Sequence, residues 1–386
     1  MKDYSENIID FIQRLVSIPS INGINNEVEI INCIEDEAIK LGLPYKIYSK
    51  DSNHPNIFVG ENFNKKEGLL FIAHVDTAGI GDETKWKHNP FGGEVENNKL
   101  YGRGAIDNKA GIAISLYTLK SLADKGKLSS AKFIGVSDEE CGADSVYGAR
   151  YLLDQGLQAK SAIYTYSGND VITIGHRGQV KLWINVNGES AHSGSSSWQN
   201  GTRGASAINA LNNFLTELNK FEMEGTHEAF PNYTFKQTVL FIEGGNTTSL
   251  VPDKARCLID ARLLPIHEND KYVESITKLA KSFETEKVKF EIEVNTNLPA
   301  AYIKNDEKIV TVLKGLTKKI LNTDPEIRGC GPANEGYMFI GAGIPTICGF
   351  GVSGDGMHSK DEYLEIDSVS KTLEIYIKAA LKFQLF

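Results

Sequence analysis

The sequence lacks the features of several classes of protein. It has no surplus of basic residues: 41 Lys and Arg stand against 50 Asp and Glu, and the formal net charge at pH 7 is -9. Nucleic acids and anionic membranes attract clustered Lys and Arg. The sequence also contains no uninterrupted apolar run of the length of a signal peptide or a transmembrane helix. We therefore predict neither a nucleic-acid partner nor a membrane partner.

Cysteine is scarce and shows no pattern. The five cysteines are Cys33, Cys141, Cys257, Cys330 and Cys348. An odd, scattered set without C-x-x-C spacing indicates neither a disulfide framework nor a structural zinc ribbon. We expect a protein of the reducing cytoplasm.

The order of the predicted elements indicates two domains. A chain of 386 residues is long for a single core. Strands and helices alternate up to about residue 178, which is typical of a sheet flanked by helices. Residues 179–296 instead follow the order strand, helix, strand, strand, helix, strand of a ferredoxin-like α+β unit. We predict an α/β main domain with a mostly parallel mixed sheet, residues 1–178 and 297–386, and an inserted α+β domain, residues 179–296.

Polar residues follow the apolar strand predicted at Leu69–His74. His74 and Asp76 lie two residues apart, so on a strand they point to the same face. Asp76 could then accept the second ring N–H of His74, as carboxylates do beside metal-ligating histidines. A single histidine at a strand end is usually structural, and this pair alone does not establish a metal site.

A glycine-rich turn at residues 101–108 contains Asp107 and leads into a predicted helix. A carboxylate in such a turn can bridge two cations, as a two-metal site requires. The alternative is that Asp107 caps the N-terminus of the helix.

Adjacent carboxylates, Glu139 and Glu140, follow the strand predicted at Lys132–Val136. They repel each other unless a positive charge lies between them, and a metal ion bound by one Glu, with the other as general base, would remove this conflict. A solvated acidic loop is the alternative. Because His358 also lies in a glycine-rich turn, the chain offers His, Asp, Glu and His together, and zinc is the natural ion for such mixed ligands.

The motifs around these residues resemble those of the co-catalytic zinc amidohydrolases and exopeptidases, the family of aminoacylase, acetylornithine deacetylase, succinyl-diaminopimelate desuccinylase, carboxypeptidase G and peptidase T. The resemblance covers essentially the whole chain and includes the segments at residues 189–194, 260–262 and 357–362. It implies that the inserted domain is a lid and dimerisation domain of a homodimer. It also implies one or two Zn²⁺ per chain, with Co²⁺ or Mn²⁺ as alternatives.

The resemblance further implies a role for each site residue. One metal would be bound by His74 and the bridging Asp107, and the other by Asp107, Glu140 and His358. Glu139 would deprotonate the attacking water and later protonate the leaving amine, with Asp76 supporting His74. In the inserted domain, His192 would stabilise the oxyanion, and Arg262 would bind a substrate carboxylate.

The chain departs from this family at the position of a metal-binding carboxylate, where it has Tyr166. A neutral phenol is a poor zinc ligand, since its ordinary pKa is near 10. Three interpretations follow: Asp170 replaces the carboxylate, the site holds one tightly bound metal, or Tyr166 contacts the substrate. Asn334 stands where the family commonly has Asp, at a predicted substrate-binding position.

The sequence therefore predicts a metal-dependent amidohydrolase or metallopeptidase. It would hydrolyse an amide bond in a small N-acyl amino acid or short peptide with a free carboxylate. One alternative is a di- or tripeptidase of the same family. Another, suggested by Tyr166, is an inactive relative that binds a metabolite.

Overall fold

The computed structural model describes residues 4–141 and 146–384. The chain divides into two compact units. The first unit comprises Met1–His176, Tyr302–Cys330 and Asn334–Phe386, and the second comprises Arg177–Ala301 and Gly331–Ala333.

Helices and strands alternate in the first part of the chain. Up to residue 176 the elements are α1 (Ser5–Val16), α2 (Val28–Leu41), β1 (Tyr45–Ser49), β2 (Pro55–Gly60), β3 (Leu69–His74), β4 (Val95–Glu96), β5 (Lys99–Tyr101), α3 (Ala110–Ala123), β6 (Ala131–Val136), α4 (Ala149–Asp154), β7 (Ser161–Tyr164) and β8 (Val171–His176). They are followed by β9 (Gly178–Asn187), α5 (Ser196–Gln199), α6 (Ala207–Leu218), β10 (Lys236–Gly244), β11 (Lys254–Leu263), α7 (Asn269–Lys281) and β12 (Lys289–Leu298). The chain ends with β13 (Ala301–Tyr302), α8 (Lys308–Leu321), β14 (Glu326–Cys330), α9 (Gly336–Gly341), β15 (Thr346–Ile347), β16 (Gly354–Asp355), β17 (Tyr363–Glu365) and α10 (Asp367–Leu381).

The main sheet of the first unit is mixed. Within the described residues its order is β1-β2-β6-β3-β7-β15. The pairs β6-β3, β3-β7 and β7-β15 are parallel, whereas β1-β2 and β2-β6 are antiparallel. Strands β3 and β6 are buried along their whole length, as the apolar sequence of a sheet covered on both faces requires. The predicted α/β class is confirmed.

The second unit contains a four-stranded antiparallel sheet in the order β10-β11-β9-β12. Numbered within the unit, this order is 2-3-1-4, and the connections follow the predicted ferredoxin-like pattern. Alternate residues of β9 are buried and pack with side chains of α6 and α7 in a separate apolar core, whose largest members include Phe214, Tyr272 and Phe290.

Several short elements were not predicted from the sequence. Strand β8 pairs in parallel with β14, and β16, β17, β5 and β4 form a small separate sheet. The strands of this small sheet have two or three residues, which is too short to show a period-two pattern. Strand β7 ends at Tyr164, so Tyr166 lies two residues beyond the strand. Among the described residues, no helix combines the length and apolarity needed to span a membrane.

Candidate metal centre

The predicted site residues of the first unit follow parallel strands at one edge of the main sheet. His74, the last residue of β3, pairs in register with Val136, the last residue of β6. On the other side of β3, Ile72 pairs with Tyr164, the last residue of β7. The segments that follow these strands leave the sheet at its carboxyl edge, where open α/β sheets place their binding sites.

A tight turn before α3 positions Asp107. Gly104 has a φ of +81°, and a Cβ atom there would lie 2.7 Å from Cγ2 of Thr77, so glycine is required. Residues 105–109 form one π-type turn, in which the peptide bond between Asp107 and Asn108 is cis. The N-cap residue of α3 is Lys109. Asp107 therefore does not cap the helix and is available for the site.

Asp107 lies between two histidines. Its Oδ1 lies 2.9 Å from His74 Nε2, and its Oδ2 lies 3.0 Å from His358 Nε2. His358 Nε2 also lies 3.0 Å from Glu140 Oε1. The ligand atoms of Asp107, Glu140 and His358 lie within 4.8 Å of one another, as do those of His74, Glu139 and Glu140. The structure thus brings the predicted metal-site residues of this unit together.

Glu139 receives a hydrogen bond from Tyr166. The phenol O–H of Tyr166 donates to Glu139 Oε1 over 2.5 Å. Burial raises the pKa of Glu139 to about 8; the carboxylates of Glu335 and Glu140 add to this rise, whereas His74 and the Tyr166 hydrogen bond oppose it. Glu139 therefore has the environment of a group that accepts and returns a proton near neutral pH.

Asp76 supports the site differently from our expectation. His74 Nδ1 lies 2.9 Å from the backbone oxygen of Asp76 and 3.6 Å from its Oδ1, so the carbonyl accepts the ring N–H. The Asp76 carboxylate instead accepts hydrogen bonds from the backbone N–H groups of Glu139 and Glu140, at 3.3 and 2.8 Å, and from Asn22 Nδ2. Asp76 therefore orients the acidic pair.

The carboxylates of the cluster favour positive charge between them. Burial acts to raise the pKa of Asp107, but hydrogen bonds from His358 and His74 lower it below its ordinary range. A hydrogen bond to Asp107 and the nearby carboxylate of Glu140 raise the pKa of His358 to about 10. A divalent cation would supply the same positive charge that the imidazole proton supplies here.

The donor atoms fit a metal ion. His358 Nε2 is equally distant from Asp107 and Glu140, and a single ring N–H cannot point at both. Within residues 4–141 and 146–384, the buried Glu140 Oε1 has no hydrogen-bond partner of acceptable geometry. A cation bound by Asp107, Glu140 and His358 would use these lone pairs, and imidazole and carboxylate are ligands of zinc.

A family model matches most of the chain. The model described as Peptidase family M20/M25/M40 matches residues 70–382, a span that contains every residue of the two clusters. The chain belongs to this family. The predicted family and the predicted metal-dependent hydrolase are both confirmed.

The alignments with similar proteins cover nearly the whole chain. An uncharacterized metallohydrolase of Methanocaldococcus jannaschii is 27% identical, with 97% of this chain and 98% of that protein covered. The succinyl-diaminopimelate desuccinylase of Rickettsia bellii is 24% identical, with 95% and 94% covered. Among solved structures, an M20 family metallo-carboxypeptidase from Sulfolobus solfataricus has a TM-score of 0.76 at 21% identity, with 99% of both chains covered. This last likeness confirms the fold.

Two predicted site residues of the M20 chain lie in its second unit. His192 is exposed, and its Nδ1 accepts a hydrogen bond from the backbone N–H of Gly194 over 3.1 Å. A neutral ring with Nδ1 as acceptor carries its proton on Nε2. His192 thus presents a donor to solvent. Arg262 is partly exposed, and its Nε donates to Asp260 over 2.8 Å.

Two other predicted residues lie apart from both clusters. Asp170 is exposed, directly before β8, and its backbone oxygen accepts a hydrogen bond from Glu326. Asn334 bridges backbone groups, donating to the oxygen of Cys348 and accepting from the N–H of Gly336. Their roles in binding stay predictions.

A buried ion pair supports the Asp107 turn, although no role for it was predicted from the sequence. Arg103 donates to Glu362 Oε2 over 2.6 Å, and Glu362 Oε1 accepts the backbone N–H groups of Ile106 and Asp107. Both charged side chains are almost completely buried. The pair therefore fixes the turn that positions Asp107. The signal was present, since both residues lie in motifs that carried the family resemblance.

Proposed function

We propose that this M20 chain hydrolyses the amide bond of a small N-acyl amino acid or short peptide with a free carboxylate. The observation that carries the proposal is the placement of Glu139 beside the Asp107, Glu140 and His358 cluster, with one carboxylate oxygen fixed by Tyr166. The desuccinylase relative supports an N-acyl amino acid as the substrate.

The residues have distinct proposed roles. A divalent cation bound by Asp107, Glu140 and His358, for which we propose zinc, would polarise the scissile carbonyl and acidify a water molecule. Glu139 would take the proton from the attacking water and return it to the leaving amine. His192 would donate its Nε2–H to the oxyanion, and Arg262 would pair with the substrate carboxylate.

A substrate panel tests the proposal. The zinc-loaded protein is incubated with N-succinyl and N-acetyl amino acids and with di- and tripeptides, and the released amine is measured. We expect release from the acylated amino acids. Release from peptides alone would identify the di- or tripeptidase instead. If no amide is hydrolysed although metal is bound, the proposed function is wrong and a binding role becomes the better explanation.

We also propose a homodimer through the second unit. Strand β10 lies at the edge of its sheet, and its Leu240, Phe241 and Ile242 are exposed. An edge strand with exposed apolar side chains can pair with a second copy. Sedimentation velocity should show a dimer, and Phe241→Glu should shift it to the monomer. A wild-type protein that sediments as a monomer at all concentrations contradicts this part of the proposal.

A further inference from the structure

The two sides of the candidate centre differ in which of their groups are free to bind a cation. On the His358 side, three groups converge: Asp107, Glu140 and His358. On the His74 side, the imidazole faces Asp107 Oδ1 at 2.9 Å, and the aromatic ring of Tyr166 lies beside it, with a distance of 5.5 Å between ring centroids.

The phenol of Tyr166 is committed to Glu139. Its O–H donates to Glu139 Oε1 over 2.5 Å. Its ring stacks on that of Tyr164, with centroids 4.6 Å apart and planes inclined by 16°, and the phenol of Tyr164 donates to Glu335 over 2.8 Å. Two parallel tyrosines thus each donate to one carboxylate, and the stack restricts the movement of both.

The backbone beside Tyr166 is fixed as well. Thr165 donates its N–H to the oxygen of Ile72 over 2.9 Å, and its hydroxyl lies 3.0 Å from Asn108 Oδ1. A Cβ atom at position 351 would lie 2.4 Å from the oxygen of Tyr166, so Gly351 permits a close approach of the two segments. Tyr166 is thus held beside His74, at the chain position where the family resemblance implies a metal-binding carboxylate.

A phenol in this position does not supply what a second cation needs. It contributes no negative charge, and its proton is directed at Glu139. Catalytic zinc sites typically use three protein ligands. The His358 side provides three. On the His74 side the ligand atoms of His74, Glu139 and Glu140 also converge, but Glu140 is shared with the His358 side and Glu139 accepts the hydrogen bond of the Tyr166 phenol.

We propose that Tyr166 is a positioning residue for Glu139 and that the centre binds one divalent cation tightly, on Asp107, Glu140 and His358, with the His74 side binding a second ion far more weakly. The inference rests on the proposed function for the role of Glu139. Among the described residues no hydrogen bond reaches Glu139 Oε2. The phenol therefore fixes one oxygen and leaves the other for proton transfer.

The first test counts metal ions without substrate. Apoprotein is dialysed against buffered free zinc over a wide concentration range, and zinc per chain is measured by elemental analysis. Wild type should bind one equivalent, with the second at a free zinc concentration at least about 100-fold higher, the upper end of what loss of a supporting contact costs. Tyr166→Glu should bind both equivalents at similar concentrations. Tyr164→Phe, which alters the neighbouring tyrosine, should keep the wild-type curve.

Two equivalents bound by wild type with similar affinity would overturn the single-ion inference. So would a folded Tyr166→Glu variant, verified by circular dichroism, that gains no second ion. If that variant does not fold, the wild-type curve decides alone. Because no substrate is used, a protein that binds one ion but hydrolyses no amide would contradict the proposed function and leave the metal count standing.

The second test separates positioning from structure. Tyr166→Phe removes only the hydroxyl, so zinc binding should remain at one tight equivalent. We expect kcat to fall about 10- to 100-fold with little change in KM, since supporting contacts to catalytic groups have effects of this size. An unchanged kcat, or a loss expressed entirely in KM, would remove Tyr166 as the positioning residue of Glu139.

Discussion

The two units of the chain use their interiors differently. The first unit buries charged groups in neutralising sets, such as Arg103 with Glu362 and Asp107 with two histidines. The second unit has an apolar core with one cysteine; its Asp260, which is nearly buried, pairs with the partly exposed Arg262, and its candidate catalytic residue, His192, is exposed. Buried charges are tolerated only where partners compensate for lost hydration. The difference agrees with our proposal that the first unit carries the proton and metal chemistry.

The largest expected effect concerns the proposed general base. Glu139→Gln keeps the shape of the side chain and an acceptor for Tyr166 but cannot accept a proton. We expect kcat to fall about 10²- to 10⁴-fold, with zinc content unchanged by elemental analysis. Glu293→Gln, at an exposed position of β12 in the second unit, serves as the control and should keep the wild-type rate. Retained turnover in Glu139→Gln would show that another group takes the proton.

The second prediction asks whether the second unit contributes to the reaction. His192→Ala should lower kcat about 10²- to 10³-fold with little change in KM, as expected for a donor to a developing oxyanion. His227→Ala is a matched control, because the Nδ1 of His227 also accepts a backbone N–H two residues later. Equal rates for the two variants would confine the chemistry to the first unit.

The third prediction concerns the buried ion pair that supports Asp107. Glu362→Gln leaves Arg103 without a charged partner, and breaking a buried pair in this way costs about 3–5 kcal/mol of folding free energy. The looser turn should also lower zinc affinity about 10- to 100-fold. Chelator competition and thermal unfolding measure the two effects. Glu365→Gln, an exposed neighbour, should change neither; a normal zinc affinity in Glu362→Gln would refute the positioning role.

The smallest expected effect is a pH-dependent change in folding stability that arises at a residue outside the candidate metal centre. Glu37 is buried, which acts to raise its pKa, but hydrogen bonds from Tyr117 and Arg14 lower the pKa below the ordinary 4.5. The unfolded chain therefore binds the proton more readily, and the stabilisation is present above pH 4.5 and is lost as the pH falls through the lowered pKa.

Glu37→Gln should accordingly cost about 1.5–3 kcal/mol at pH 7, the range for hydrogen bonds to a charged group. Urea unfolding at several pH values would measure the difference from wild type, which should shrink in acid. Asp36→Asn, at an exposed neighbouring position, should show no such trend. A difference that stays constant with pH would mean that the charge of Glu37 contributes nothing.

Much of the fold could be predicted because its signals are local. The apolar sequence of β3 gave its bounds without error, since a strand buried on both faces consists of adjacent apolar residues. The ferredoxin-like order followed from alternating strands such as β9. The small sheet of β4, β5, β16 and β17 was missed, because such short strands carry no pattern and join segments more than 250 residues apart.

The residues that meet in the candidate metal centre could be predicted, but the hydrogen bonds that join them could not. Each of His74, Asp107, Glu140 and His358 follows a strand or lies in a turn, and local sequence shows this. The hydrogen bond from Tyr166 to Glu139 joins residues 27 positions apart. The one from the backbone N–H of Asp107 to Glu362 joins residues 255 positions apart. Only tertiary packing sets such contacts, and no periodicity reports them.

The positions of the ligands along the chain have a consequence for biosynthesis. His74 and Asp107 precede the whole second unit, and His358 follows it. At translation rates of about 5–20 residues per second, roughly 15–60 s separate the synthesis of residue 74 from that of residue 358. A nascent chain therefore displays its acidic ligands well before the histidine that completes the cluster. We expect the ion to be acquired after synthesis, by the nearly finished protein.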